Sequence, residues 1–451
     1  MSELQTIAVY VIFGGVVLTM TFDLLDMAVA ALLGVSLLIL FGVLGREELQ
    51  SMVLTAGGPL ALLFGGMVVA KVLEPTGVFE ILGNRFLRLT RGSGKRFLLG
   101  LIILVAVPCA FLPNATTIVL LAPIIIRAAV ALEVDFVRPM ILAAIISNSA
   151  GMLTLVGDPA TFLVGSAIGL SFAQYLKWAS LGGVLALLVL IPLFRLLMKD
   201  TWKTRKTLPT DLADKPLERP WFCVLSLGVL FLMVALFLFG DRLPSPISPP
   251  AVAIVAATFA LLILFEFRVA PVGQVLRGID WSTLVFLACL FLMVEALNKT
   301  GVLRTLAMNL HAGFGGNLGA VAIAVLAGIG MASSLIPNIP VVAGTIFLVK
   351  GYFVAAELMP EHALSPTFLD WPITTLPVFV AMMFGATLGG NATVIGASAN
   401  VVSAGICRER GQPIKFITFL RYGAPITLCQ LAVSAVYVLV LLWLTRQGVK
   451  P

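Results

Sequence analysis

Charge is what this sequence has least of. Asp, Glu, Lys and Arg make up 11% of the residues, against 60% hydrophobic. With a mean hydropathy of +1.09, that balance excludes a soluble globular domain. Cysteine supplies no framework: Cys109, Cys223, Cys289, Cys407 and Cys429 show no C-x-x-C spacing, and most sit in apolar runs as small hydrophobes. Two histidines, His311 and His362, are too few for a His-based metal site. No H-E-x-x-H, G-x-S-x-G or Walker A pattern occurs, so neither an enzyme nor a resident cofactor is expected. The first apolar run is preceded by no positive charge, so it reads as a retained helix rather than a cleaved leader. The net charge of +7 needs no nucleic-acid partner, because basic loops at a membrane surface account for it.

What is present is a series of apolar runs near 6–20, 27–44, 57–73, 139–155, 177–198, 221–240, 250–267, 281–297, 372–388 and 422–445. Their lengths predict an all-α polytopic membrane protein. Two further pairs of arms, 97–112 with 115–132 and 318–335 with 339–354, meet at Pro113-Asn114 and Pro337-Asn338. The two Pro-Asn dipeptides lie 224 residues apart, and Thr76-Gly77-Val78 recurs as Thr300-Gly301-Val302 at the same offset. Thr154-Leu155-Val156-Gly157-Asp158-Pro159-Ala160 is echoed by Thr393-Val394-Ile395-Gly396-Ala397-Ser398-Ala399 at an offset of 239, the difference fitting a longer loop near 355–371. Two related halves with broken apolar segments in corresponding places point to a secondary transporter.

The first repeat is expected over 1–198, with a hairpin at 97–132 and a broken helix at 139–170. The second is expected over 221–445, with a hairpin at 318–354 and a broken helix at 372–405. Between them, 199–220, bracketed by Pro209, Pro216 and Pro220, reads as a cytoplasmic linker. Each hairpin is re-entrant or a pair of full spans, and both choices leave the other loops on the same sides. Placing both termini outside puts eighteen basic residues on the cytoplasmic face, among them Arg85, Arg88, Arg205, Arg268 and Arg408, against eight outside, Lys299, Arg304 and Lys350 included. Five crossings plus a hairpin in each half would invert the second repeat relative to the first. Residues 78–91 alternate apolar Val78, Ile81, Leu82, Phe86 and Leu89 with Arg85, Arg88 and Arg91, which predicts an interfacial amphipathic helix.

Backbone exposed inside hydrocarbon must be satisfied by protein, water or solute. The chain breaks helix continuity at the two Pro-Asn tips, at Gly157-Asp158-Pro159 and between Gly389 and Gly396. Helix N-termini there favour anions, whereas unwound carbonyls favour Na⁺, with Asn114, Gly157, Asn338 and Gly396 as the places for it. Asn114, Thr116, Thr117, Asn148, Ser149, Thr154, Asn338, Asn391, Thr393, Ser398 and Asn400 are the candidate solute- and ion-binding groups. Asp158 is the candidate coupling residue, through proton exchange, cation binding or repulsion of the wrong solute; the alternative is a cap on the helix beginning at Pro159. Its repeat counterpart is Ala397, so an ionic role is confined to one half. Gly151 and Gly405 are expected to allow close helix packing, and Glu74 and Glu295 to lie at the interface.

At these motifs the chain resembles the ion transporter superfamily, in particular its branch of arsenite permeases, Na⁺/H⁺ antiporters and P proteins. Thr387-Leu388-Gly389-Gly390-Asn391-Ala392-Thr393 through Asn400 resembles the second-half signature, and Ser147-Asn148 through Pro159 the first-half version. The resemblance runs over about residues 50–445. It implies scaffold and transport domains, two re-entrant hairpins, a homodimer and elevator-type alternating access. The branch resembled carries an Asp-Asn pair at its tips where this chain has Pro113-Asn114 and Pro337-Asn338. Sodium-coupled dicarboxylate carriers resemble a Ser-Asn-Thr tip, and only Asn114 and Asn338 match both patterns. The expectation is a plasma-membrane secondary transporter of a small inorganic or organic anion, coupled to H⁺ or Na⁺. Na⁺/H⁺ antiport through Asp158 is the alternative, and a membrane-embedded enzyme or receptor is disfavoured by the lack of a nucleophile–base or metal cluster.

Overall fold

The computed structural model describes residues 2–21, 24–207, 219–365 and 368–447. Among them it is helical throughout, with no β-sheet; a single isolated bridge joins Ser93 and Arg205. The first half runs α1 (Glu3–Thr21), α2 (Met27–Leu40), α3 (Arg46–Leu73), α4 (Val78–Thr90), α5 (Gly94–Cys109), α6 (Asn114–Ala131), α7 (Val137–Gly151) and α8 (Pro159–Ala167). It closes with α9 (Phe172–Trp178), α10 (Ser180–Leu188), α11 (Leu190–Leu197) and α12 (Lys199–Lys203). The second half runs α13 (Pro220–Phe239), α14 (Pro249–Glu266), α15 (Val272–Arg277), α16 (Trp281–Lys299), α17 (Val302–Phe314) and α18 (Leu318–Ser333). After these come α19 (Asn338–Ala355), α20 (Leu376–Gly389), α21 (Ser398–Glu409) and α22 (Phe416–Arg446).

Nine helices among the described residues are long and apolar enough to cross a membrane, or ten if α8 and α9, bent by 106°, count as one span. The protein is an integral, multi-pass membrane protein. Several boundaries differ from those expected. The run at 27–44 yields a helix of only 14 residues, ending in the left-handed turn at Gly42. The run at 177–198 is interrupted, as α10 and α11 meet at Val189. The predicted linker 199–220 is folded at its start: α12 is helical, Thr201 is buried, and Lys206 pairs with Glu133. Its residues 208–218, including Pro209 and Pro216, lie outside the described residues.

The repeated motifs give repeated local structure. Gly77 and Gly301 take left-handed φ values of 74° and 77°, a region that glycine occupies without steric cost. Each follows a threonine whose hydroxyl bonds back three residues, Thr76 to the Leu73 carbonyl and Thr300 to that of Leu297. Each glycine then starts a 13-residue amphipathic helix, α4 or α17. The hairpin arms match in length too, 16 residues for α5 and α18, 18 for α6 and α19.

Two groups of helices account for most packing. In one, α2 and α3 lie on α16, α3 on α14, and α13 on α14. In the other, α5, α6 and α21 surround α7, while α18 and α22 flank α20. Both broken helices, α7–α8 and α20–α21, belong to the second group, and their buried faces leave little surface exposed from Pro139 to Met152 and from Leu376 to Ala392.

Candidate functional site

Both hairpin tips are built alike. Pro113 and Pro337 sit just before α6 and α19 with extended backbone (φ −56°, ψ 135° and φ −51°, ψ 143°), so Asn114 and Asn338 open the helices. Proline fixes its own φ and brings no N–H, which stops the incoming arm and starts the outgoing one. No side chain caps either helix, so first-turn N–H groups remain directed at the junction. Asn114 is buried, and its Oδ1 has no hydrogen-bond partner among the described residues. Asn338 is half-buried and points its amide into the first half of the chain.

The breaks dock against these tips through one bond used twice. The Thr154 hydroxyl donates to the Ala110 carbonyl, just before the first tip. The Thr393 hydroxyl donates to the Ser334 carbonyl at 2.5 Å, just before the second. Both donor and acceptor are related by the sequence offsets. The glycines that follow are tightly enclosed: a Cβ on Gly157 would lie 2.7 to 3.1 Å from the carbonyl oxygens of Gly151, Cys109 and Ala110. One on Gly396 would lie 2.6 Å from the Gly390 oxygen. Gly151 also packs closely, whereas Gly405 has nothing within 4 Å; the packing role expected for it is not found.

Asp158, 2% exposed, joins the halves. Its carboxylate accepts from Thr387 Oγ1 at 2.8 Å and from Asn338 Nδ2 at 3.2 Å, both in the second half. It occupies the N-cap position of α8, yet these two bonds lead away from that helix. A carboxylate at this depth is stable only with such donors, a proton or a cation.

A second buried cluster lies between α7, the α20–α21 break and α22. Asn148 Nδ2 donates to Asn391 Oδ1 and Asn400 Oδ1, both at 3.1 Å. Asn391 Nδ2 donates to Ser149 Oγ at 3.0 Å and Gln430 Oε1 at 2.9 Å, while Gln430 Nε2 donates to Ser149 Oγ at 2.9 Å. Asn400 turns its own amide to the carbonyls of Gly390 and Thr393, both at 2.8 Å, and so fixes the unwound stretch. Every polar atom of the Asn391 side chain is used, which makes this cluster a clamp on backbone geometry rather than an open ligand cradle.

Of the expected residues, Asn148, Ser149, Asn391 and Asn400 thus fall in one network, Asp158 and Asn338 in another, and Thr154 and Thr393 in the paired docking bonds. Thr117 is buried near the Cys109 thiol. Thr116 is half-buried and Ser398 exposed, and neither hydrogen-bonds to the others among the described residues. Sequence reasoning missed Thr387, Gln430 and Lys350. Thr387 lies 239 residues after Asn148, so the repeat offset marked it; Gln430 is an amide inside the long apolar run of α22. Glu295, expected at the interface, is half-buried beside a cavity, while Glu74 pairs with Lys71 at 2.6 Å. Lys350, counted among basic residues of the outer loops, is only 3% exposed, within α19. Among the described residues no group of three His, Cys, Asp or Glu is placed to hold a metal, and the cysteines are unpaired.

The family described as Citrate transporter matches residues 9–369. An uncharacterized transporter of Synechocystis sp. is 41% identical over 438 residues, covering 97% of both chains. An uncharacterized transporter of Mycobacterium bovis is 34% identical over 387 residues, 85% of both chains. The P protein of Mus musculus is 27% identical over 521 residues, which take in 97% of this chain and 60% of that one. The resemblance to the P-protein branch read from the motifs therefore holds.

Proposed function

This chain belongs to the citrate transporter family, within the ion transporter superfamily, and we propose that it is a secondary active transporter moving a small anion or weak inorganic acid in exchange for, or together with, H⁺ or Na⁺. The observation that carries this reading is the Asp158–Asn338–Thr387 junction, where one buried carboxylate accepts from two neutral side chains of the opposite half and from the backbone of Ala160 in its own. A carboxylate so held takes up or releases a cation when the Asn338 tip moves. The uncapped starts of α6 and α19 offer N–H groups and positive dipole ends to an anion at the same depth. The family name makes citrate the first anion to test.

The finer architecture of this reading is an inverted-topology pair of repeats, 1–198 and 221–445, with re-entrant hairpins at 97–132 and 318–354. The matched arms, the paired Thr154–Ala110 and Thr393–Ser334 bonds and the twin left-handed glycines support the repeat. The group containing α3, α14 and α16 serves as scaffold and the group around α7 and α20 as transport domain, sliding past it in an elevator movement. A homodimer in the plasma membrane completes the arrangement, and the excess of basic residues in the loops assigned to the cytoplasm supports placing both termini outside. Asn114, Gly157, Asn338 and Gly396 mark where a coupling Na⁺ would sit.

Purified protein in liposomes loaded with a pH dye tests the proposal. Citrate, arsenite, silicate, sulfate and dicarboxylates are added with and without Na⁺, with Asn114→Ala as control. Flux that requires one of these anions and is lost in Asn114→Ala supports the reading. Proton movement driven by Na⁺ alone replaces it with Na⁺/H⁺ antiport, and silence with every solute overturns it.

A further inference from the structure

Lys350 is a cation that the site above does not use. It lies in α19, twelve residues beyond Asn338, so about 18 Å along the helix from the tip. Only 3% of its surface is exposed, and none of the ion pairs or side-chain hydrogen bonds among the described residues includes it. Its Nζ lies 5.4 Å from the centre of the Trp371 ring. A buried ammonium without a carboxylate partner is costly in an apolar span, and one aromatic face offsets only part of that cost.

Lys350 lines a cavity of about 850 Å³ at the boundary between the two helix groups. On one wall are Pro59 of α3 and Glu295 of α16; on the other are Phe162 of α8 and Phe347 and Lys350 of α19. Pro59 and Phe162 also border the small cleft formed by Pro113, Gly157 and Pro159, so the cavity leads from Lys350 towards the first tip and break. It is large enough for a hydrated carboxylate or oxyanion.

We infer that this cavity is an anion vestibule in which Lys350 is the charge that collects a carboxylate or oxyanion solute before it reaches the hairpin tips. The inference rests on the anion-transport reading and deepens it by assigning the group that selects the sign of the solute. Glu295, which makes no ion pair among the described residues, repels an anion from the α16 wall and so holds it on the α19 side. Trp371, half-buried beside Lys350 although not itself in the cavity wall, reports on anions drawn to that charge.

The test does not depend on flux. In protein keeping Trp371 as its one tryptophan, the other five being phenylalanine, fluorescence quenching by iodide is compared with that by neutral acrylamide. At 5.4 Å a unit charge concentrates a monovalent anion by about fourfold even at the dielectric constant of water, so Lys350→Gln should lower the iodide constant by about that factor and leave acrylamide quenching unchanged. Lys350→Arg should keep the wild-type ratio, which separates lost charge from lost packing, and Glu295→Gln should raise it. Citrate added to the Lys350 protein should protect Trp371 from iodide. An iodide-to-acrylamide ratio equal in wild type and Lys350→Gln overturns the vestibule, even if anion flux is found in liposomes. A Lys350-dependent ratio in protein that moves no anion upholds the anion site and removes the transport reading instead.

Discussion

Asn338 and Asp158 are 180 residues apart in the chain and 3.2 Å apart in the fold, the amide of one hairpin tip donating to the acid of the opposite broken helix. The tip therefore cannot move relative to the break without leaving a buried carboxylate one donor short, with the Thr387 hydroxyl and the Ala160 backbone then remaining to it. A hydrogen bond to a charged group contributes roughly 1.5–3 kcal/mol, so Asn338→Ala should slow transport by about tenfold to a hundredfold. Initial rates in liposomes measure it, with melting in detergent as a check on folding; a rate within twofold of wild type would sink the role assigned to this bond.

Asp158→Asn keeps the shape of the junction but removes its charge. Anion flux should persist while its dependence on H⁺ or Na⁺ disappears. Complete loss of flux, with the protein still folded, would favour direct exchange of cations at Asp158.

Gln430→Leu strips two donors and an acceptor from the clamp around Asn391 and Ser149. Leaving those groups unpaired in the interior costs about 1–3 kcal/mol, which should lower the melting temperature while leaving the KM for the transported anion near its original value. A raised KM at unchanged stability would instead make Gln430 a ligand for the solute.

Gly157→Ala drives a methyl into three backbone carbonyls, which cannot swing aside as a side chain can. It should abolish transport or folding. Gly405→Ala meets open space within α21 and should stabilise the helix by roughly 0.5–1 kcal/mol. Thermal unfolding of the two variants side by side checks both statements.

Glu48, ahead of the apolar part of α3, is paired with Lys299 at the end of α16. That hydrogen bond holds the Glu48 carboxyl below the usual glutamate range, against the opposing effect of burial, with the Gly45 backbone assisting. A lowered folded-state value means the stabilisation is complete above the ordinary glutamate pKa and is lost as pH falls through the lower, folded value. Glu48→Gln should therefore flatten the acid limb of a stability–pH profile and leave the neutral region's slope unchanged, as unfolding in detergent from neutral pH down through and below the ordinary glutamate range can show.

Much of this was legible in the residues. Proline and glycine act locally, so Pro113, Pro337, Gly77 and Gly301 marked their tips and turns wherever the chain folded. Apolar length fixed a multi-pass membrane protein, and the offsets of 224 and 239 related Ala110 to Ser334 and Thr154 to Thr393 before any contact was known. Short polar residues beside the breaks could be named as a group, but Ser398 and Thr116 could not be separated from Asn391 and Asn400, because exposure depends on which neighbours cover each helix face.

The sequence by itself determined the class, the membrane-length helices, the repeated breaks and the identity of the acid among them, since each follows from backbone chemistry or hydropathy over a short stretch. Only the tertiary structure decided which partners the acid has. Asp158 meets Asn338 and Thr387 across the halves, Gln430 closes the clamp from α22, and Lys350 leaves the loop expected for it to face a cavity. The hydrogen bonds among them join residues 39 to 281 positions apart in the chain, and local periodicity carries no information about them. They exist because burying a polar group in a membrane protein requires a partner, and the packing of the helices, rather than their sequence order, determines which one is within reach.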